Sequence, residues 1–315
     1  MGNGTDALEI SLRALDCGPG DEVITVANAG AFGSVAIFSV GARPVYVDVE
    51  LESGLIDCNT IAAAIRPATK AIIVTHLYGK LADMDRICPI AKAAGIPIIE
   101  DAAQAHGARR YGRHAGSWGA LGCFSFYPTK NLGALGDGGA IITSDTKLSD
   151  RVRALRQYGW DGRFQVALPG GRNSRLDEIQ ATVLLEKLPH LDAMNAERRR
   201  IAERYRTALA GLPITFPNSG EDHVFHLCVA RHQARDHLRQ ELARQGIDTD
   251  IHYPIPDYRH PGFRTLQGET SPLPRTETFM AEILTLPCFP GMTDIELDRI
   301  TDAMTAANNC SLEER

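Results

Sequence analysis

Short runs of apolar, mostly β-branched residues alternate with helix-like segments through the first half of the chain. The apolar runs predict strands at 21–26, 43–49, 70–77, 96–101, 121–127 and 140–143. The segments between them predict helices, one ending near residue 40 and others over 59–66, 83–94 and 147–158. Strands rich in Val and Ile that alternate with helices indicate a mostly parallel sheet covered by helices on both faces. In such a sheet, ligands bind beyond the carboxyl ends of the strands.

The pattern changes after Gly159. Residues 160–175 are rich in Gly and Arg and predict a loop. A helical pattern follows over 176–209, where Pro189 predicts a break or kink because proline lacks an amide hydrogen. From residue 214 onward, strand-like and helix-like segments mix. We therefore predict an α/β protein with a large domain over 1–190 and a smaller C-terminal α+β domain over 191–315.

The composition excludes several classes of protein. Of 315 residues, 44% are hydrophobic and 23% are charged, which is typical of a folded globular chain. No apolar run approaches the ~18 residues of a membrane helix. The net charge of -6 argues against binding to nucleic acids or anionic membranes. Seven cysteines include no C-x-x-C pair, so neither a disulfide framework nor a metal site is expected, and a reducing cytoplasm fits best.

A glycine-rich turn that contains Gly2, Gly4, Thr5 and Asp6 opens a predicted helix. Glycine lets the backbone approach a phosphate closely, and a helix start offers free amide groups and a positive dipole end. Thr5 and Asp6 are also good N-cap residues, so a plain capped helix is the alternative. The turn fits a dinucleotide-binding pattern as well, which leaves a nicotinamide-dependent oxidoreductase as a rival, although the acidic residue that this pattern requires is missing.

Two further candidates lie at strand ends. Asp101 ends an apolar strand, where a buried carboxylate needs a cationic partner such as a protonated ring nitrogen; a structural Asp that caps the next helix is the alternative. Lys130 follows the strand at 121–127 and a turn at Pro128, where it can form a Schiff base or simply be an exposed loop lysine. A phosphate cradle, a buried acid and a lysine together match the protein side of pyridoxal phosphate chemistry.

The chain resembles the sugar aminotransferases of the DegT/DnrJ/EryC1/StrS family, a branch of the fold-type I pyridoxal phosphate enzymes. The resemblance covers essentially the whole chain. It is carried by GNGTDAL at 2–8, GPGDEVITVANA at 18–29, GARPVYVDV at 41–49, HLYGKLADMD at 76–85, IIEDAAQAHGA at 98–108, FSFYPTKNLGALGDGGA at 124–140, NSRLDEIQA at 173–181 and IHYPIP at 251–256. It implies several dozen further residues ahead of the GNGT turn, which the printed sequence lacks.

The resemblance implies a role for each site residue. Lys130 would be the catalytic residue, bound to the cofactor and moving the proton, and Asp101 would hold a proton on the pyridine nitrogen. Further cofactor contacts would come from Gly4, Thr5, Asp6, Gln104 and Ser125. Asn173 would reach the phosphate from the neighbouring subunit, which implies a homodimer with shared active sites.

The resemblance also concerns the cofactor ring and the substrate. It places an aromatic residue two positions after Asn28, where this chain has Gly30, so we expect Phe32 to stack on the ring instead. His252 and Tyr253 would line the substrate cleft; a plain turn before Pro254 is the alternative.

The expected activity is transfer of an amino group, with pyridoxal phosphate as cofactor, from glutamate to a keto sugar linked to a nucleotide diphosphate. Family members that are dehydratases carry His at the position of Lys130, so the lysine favours transamination. A cyclitol ketone as acceptor, and a truncated chain that binds cofactor without activity, are the alternatives.

Overall fold

The computed structural model describes residues 1–266 and 271–313. Its centre is a six-stranded sheet in the order β2-β1-β3-β4-β7-β8, in which β8 is antiparallel to β7 and the other pairs are parallel. The six strands are β1 Glu22–Thr25, β2 Arg43–Tyr46, β3 Thr69–Thr75, β4 Ile98–Asp101, β7 Leu121–Ser125 and β8 Gly139–Ile142. The predicted mostly parallel sheet is confirmed.

Helices cover both faces of this sheet, as predicted. Side chains alternate between the faces of a strand. Ile73 of β3 therefore packs with one apolar cluster, which includes Leu8 and Leu155, whereas Ile72 packs with a second cluster, which includes Ile87. The helices of this part of the chain are α1 Gly4–Ala14, α2 Phe32–Ser39, α3 Cys58–Ala64, α4 Met84–Ala93 and α5 Thr146–Leu155.

Small hairpins account for the remaining strands of the first half. They are formed by β5 Arg109–Arg110 with β6 Arg113–His114, and by β9 Trp160–Gly162 with β10 Gln165–Val166. The second hairpin corrects the first part of the loop predicted over 160–175, whereas residues 167–175 lie outside helices and strands, as predicted. Its residues are rich in Gly and Arg, but the ring of Trp160 contacts the rings of both Tyr158 and Phe164. These contacts favour pairing of the two strands.

The second half begins with a helix that breaks at Pro189, as predicted. α6 Glu178–Lys187 ends in a 3-10 turn over Leu188–His190, and α7 Leu191–Ala208 follows. A separate apolar core, with Tyr205, Phe225 and Leu242 at its centre, joins the C-terminal elements. These elements are β11 Cys228–Arg231, α8 Arg235–Arg244, β12 Ile283–Leu286 and α10 Asp294–Glu313, whereas Phe279 and Met280 of α9 Pro274–Glu282 pack in the cluster that contains Ile72. The domain boundary at 190/191 stays a prediction.

Within residues 1–266 and 271–313, no helix has both the length and the apolar character that crossing a membrane requires.

Candidate active site

A cavity of about 540 Å³ opens where three neighbouring strands of the sheet end. Thr75, Asp101 and Ser125 are the last residues of β3, β4 and β7, and all three line it. This is the edge at which open α/β sheets bind ligands. The predicted cofactor-binding residues that line the cavity are Gly4, Thr5, Asp6, Phe32, Asp101, Gln104, Ser125 and Lys130.

The start of α1 forms one wall. Its N-cap is Asn3, whose Oδ1 accepts a hydrogen bond of 2.7 Å from the amide of Asp6. This corrects the sequence-based suggestion that Thr5 or Asp6 caps the helix. Both lie inside the first turn, and Asn3 is the residue with extended backbone angles that a cap requires. The first amides of a helix have no partner within it, so this wall can bind an anion.

Gly4 lets the helix start approach the end of β7. A Cβ added to Gly4 would lie 2.7 Å from the Cβ of Ser125, closer than real side chains pack. The Oγ of Ser125 accepts a hydrogen bond of 3.3 Å from the amide of Tyr127, which leaves its own hydrogen available to a ligand. Helix start and hydroxyl together form a cradle of the polarity that a phosphate needs.

Asp101 lies on the floor of the cavity. Its carboxyl is buried, and burial raises its pKa, although the amide of Ala103, the charge of Lys130 and Thr75 act in the opposite direction. The amide of Ala103 donates a bond of 3.2 Å to Oδ1, but residues 102–108 form turns and no helix, so the alternative that Asp101 caps the next helix is wrong. A cationic group in the cavity would stabilise the ionised form of this carboxyl.

Lys130 lies at the junction of this cavity with a second one of about 690 Å³. Its amide donates to the carbonyl of Tyr127 at 2.9 Å, which closes the turn that follows β7. Burial lowers the pKa of the Lys130 amine, while Asp101 raises it. A lysine with a lowered pKa is a better nucleophile toward an aldehyde at neutral pH.

Gln104 and Tyr253 join the two cavities. The Oε1 of Gln104 accepts a bond of 2.6 Å from the amide of Tyr78, and its Nε2 donates to the Tyr253 hydroxyl at 3.1 Å. The ring of Tyr253 meets that of Phe32 edge to face, with 6.0 Å between centroids. Phe32 lines both cavities, and His252 and Tyr253 line the second one. Stacking by Phe32 and substrate contacts by His252 and Tyr253 stay predictions.

Asn173 does not line the first cavity. It is exposed, its Oδ1 accepts a bond of 2.8 Å from the Nε of Arg175, and it lies beside a different hollow near Gly2. The prediction that Asn173 serves a neighbouring subunit stays a prediction.

His226 is a site residue that sequence reasoning missed: its Nε2 lies 3.5 Å from the Nζ of Lys130. Its only signal is a polar residue inside the apolar run 224–230.

The residues present fit pyridoxal phosphate. The cradle at Gly4 and Ser125 suits the phosphate, and a side chain at Gly4 would fill it. The buried Asp101 suits a protonated ring nitrogen, and Lys130 suits the aldehyde. An amine nucleophile, a buried acid and an anion cradle at one sheet edge define a fold-type I pyridoxal phosphate enzyme.

Similarity to known proteins identifies the family of this chain. The DegT/DnrJ/EryC1/StrS aminotransferase family model matches residues 1–305, and the chain belongs to this family. It is a pyridoxal phosphate-dependent aminotransferase, which excludes the nicotinamide-dependent alternative.

Two relatives show how similar the sequences are. The dTDP-3-amino-3,4,6-trideoxy-alpha-D-glucose transaminase of Micromonospora megalomicea subsp. nigra is 44% identical over 310 residues, which cover 96% of this chain and 83% of that protein. The UDP-N-acetyl-3-dehydro-alpha-D-glucosamine 3-aminotransferase of Acidithiobacillus ferrooxidans is 44% identical over 301 residues, covering 95% and 80%.

A solved structure agrees with this. The crystal structure of DesV from S. venezuelae, in complex with a ketimine intermediate, has a TM-score of 0.92 and 42% identity, and the match covers 97% of this chain and 83% of that chain.

Proposed function

We propose that this protein transfers an amino group from glutamate to a keto sugar linked to a nucleotide diphosphate. The observation that carries the proposal is the position of Lys130, which lies beside the buried Asp101 in one cavity and opens onto a second. Similar proteins bear the names of transaminases of dTDP- and UDP-linked sugars.

Each residue has a defined task in this proposal. Pyridoxal phosphate, when bound, supplies an aldehyde and an electron-withdrawing ring. Gly4, Thr5 and Ser125 bind the phosphate, and Asp101 keeps a proton on the ring nitrogen. The amine of Lys130 would hold the aldehyde carbon of the cofactor and, as a free amine, would take a proton from the Cα of the donor.

The second cavity suits acidic substrates. Lys187 and Arg198 line it, and among the residues that the structure describes their partners are backbone carbonyls, those of Gly133 and Cys288 among them, and no carboxylate. Glutamate and a nucleotide diphosphate are both anionic, so this lining supports both as substrates.

A homodimer completes the proposal. Large apolar side chains are exposed in the stretch that surrounds the exposed Asn173: Phe164, Val166, Ile179 and Leu185. Exposed apolar side chains that cluster along the chain favour burial against a partner. A second copy of this chain is the partner that also brings Asn173 to a phosphate.

We place the reaction in the cytoplasm, which the free state of six cysteines supports.

The test is a visible absorbance spectrum of the protein with pyridoxal phosphate, before and after glutamate is added. We expect a covalently bound cofactor whose absorbance bleaches with glutamate. In Lys130→Ala we expect no covalently bound cofactor. The bleached protein is then offered a nucleotide-linked keto sugar or a cyclitol ketone, and recovery of the absorbance identifies the acceptor.

Two results would contradict the proposal. A folded protein that binds the cofactor and does not bleach with any amino donor would be the inactive alternative. Recovery with the cyclitol ketone alone would replace the sugar as acceptor. Sedimentation of the same samples tests the homodimer, since a monomer that turns over would overturn the shared-site prediction.

A further inference from the structure

A chain of amide hydrogen bonds lies behind the catalytic lysine. The Nδ2 of Asn131 donates to the carbonyl of Val224 at 3.0 Å and to the Oδ1 of Asn195 at 2.8 Å. The Nδ2 of Asn195 donates to the carbonyl of His106 at 2.8 Å. Backbone carbonyls only accept hydrogen bonds, so both amide orientations are fixed. The Oδ1 of Asn131 is therefore the atom that contacts His226.

This orientation determines where His226 carries its hydrogen. Its Nδ1 lies 3.1 Å from the Oδ1 of Asn131, an atom that can only accept, so the hydrogen is on Nδ1. The ring is buried, and burial together with the charges of Lys130 and Arg198 holds its pKa well below the usual range. A neutral imidazole with its hydrogen on Nδ1 has a lone pair on Nε2. That atom lies 3.5 Å from the Nζ of Lys130.

We propose that His226 is a positioning residue for Lys130: its Nε2 accepts a hydrogen bond from the lysine amine and turns the amine's lone pair toward the cofactor cavity. The inference rests on the proposed role of Lys130. A neutral amine rotates freely about its last carbon–nitrogen bond. One donated hydrogen bond fixes that rotation, which preorganises the nucleophile.

Two substitutions test the contacts of the two ring nitrogens of His226 separately. Glutamine at 226 carries its amide about as far from the backbone as Nε2, whereas the shorter asparagine ends near Nδ1. His226→Gln therefore keeps an acceptor for Lys130, and His226→Asn keeps only the contact to Asn131. The two variants are matched in polarity and differ in reach.

The measurement is the rate at which cofactor-free protein captures pyridoxal phosphate, followed by absorbance at saturating cofactor. In this step the Lys130 nitrogen bonds to the aldehyde carbon and water leaves. We expect His226→Asn to be slower by about tenfold, which corresponds to one lost hydrogen bond, and His226→Gln to stay near the wild-type rate. Equal rates for wild type and His226→Asn would overturn the proposal. Equal slowing of both variants would do so too, because the bond to Asn131 would then be the cause.

Controls separate this result from the proposed function. Lys130→Ala should capture no cofactor; capture at the wild-type rate would refute the role of Lys130 itself. Thermal unfolding of each variant detects a folding defect. If His226→Asn does not fold, ¹⁵N NMR of the histidine rings in the wild-type cofactor-free protein decides, with His226→Gln giving the assignment. A hydrogen on Nε2 of His226 would contradict the proposal.

Discussion

The ring of Tyr253 occupies the space beside Gly30. A Cβ added to Gly30 would lie 2.9 Å from two atoms of this ring and 3.0 Å from the ring of Phe32. The backbone of Gly30 is also left-handed, with φ of 76°. The absence of a side chain at 30 therefore leaves room for the ring of Tyr253, whose hydroxyl accepts a hydrogen bond from Gln104.

Gly30→Ala is expected to destabilise the protein for two reasons. The left-handed backbone costs about 1–2 kcal/mol for alanine, and the displaced ring of Tyr253 adds about 1–3 kcal/mol. Gly20→Ala is the matched control, since Gly20 has φ of 92° and nothing within 4 Å of an added Cβ. Chemical unfolding measures both. Equal losses in the two variants would mean that the contact with Tyr253 contributes nothing.

Gly4→Ala should weaken cofactor binding. The added methyl group would overlap Ser125 and push the start of α1 away from the end of β7. A strain of about 1–3 kcal/mol corresponds to a dissociation constant for pyridoxal phosphate about 5–150 times larger. Titration of the cofactor-free protein measures it. Gly33→Ala, where the new Cβ would meet Thr25 at an ordinary 3.6 Å, should leave the constant unchanged.

Asp257 makes stability depend on pH. Its buried carboxyl accepts bonds from Ser34 at 2.5 Å and from the amide of Ala31 at 3.0 Å. Burial raises its pKa from 3.8 to about 7, although these two bonds oppose the rise. The folded protein therefore holds a proton that the unfolded chain has lost, and the free energy of unfolding falls as pH rises from about 4 to 7, by roughly 1.4 kcal/mol per pH unit.

Asp257→Asn removes this titration. The difference in unfolding free energy between wild type and variant should shift in favour of the variant from pH 5 to pH 7 and stay constant above pH 8. Urea unfolding at several pH values measures the difference. A difference that does not change with pH would show that the carboxyl of Asp257 titrates at the same pH in the folded and unfolded chains.

Glu100 is a structural carboxylate behind the site. Its two oxygens accept bonds from the amides of Gly116, Trp118 and Gly119 at 2.8, 2.5 and 2.6 Å, and lie 2.8 Å from the Nε2 of His76. Burial opposes ionisation, but the bonds from His76 and the amides prevail and hold the pKa of Glu100 below its usual range. In Glu100→Gln, the side-chain NH2 would point at a backbone amide or at His76, which also donates.

We expect Glu100→Gln to lower the free energy of unfolding by about 1–3 kcal/mol, the cost of a buried donor without an acceptor. The exposed Glu52→Gln is the control and should change it by less than about 0.5 kcal/mol. Both are measured by denaturant unfolding. If Glu100→Gln is as stable as the control, the backbone amides around 116–119 must find other acceptors.

The sequence by itself determined the sheet and the centre of the site. Val and Ile runs mark β1, β3 and β4 because a parallel sheet buries both faces of each strand. Asp101 and Lys130 follow from the same pattern: both come where apolar strands end, and such ends meet at one edge of the sheet. The helix break at Pro189 could also be predicted from the sequence, because its cause is the missing amide hydrogen of the proline itself.

Tertiary structure alone decided which distant residues complete the site. His226 reaches Lys130 across 96 positions of sequence, and Tyr253 fills the space left at Gly30. Local patterns report which backbone form a segment prefers. Contacts between segments depend on how the packed core brings them together, and no short stretch of sequence contains that information.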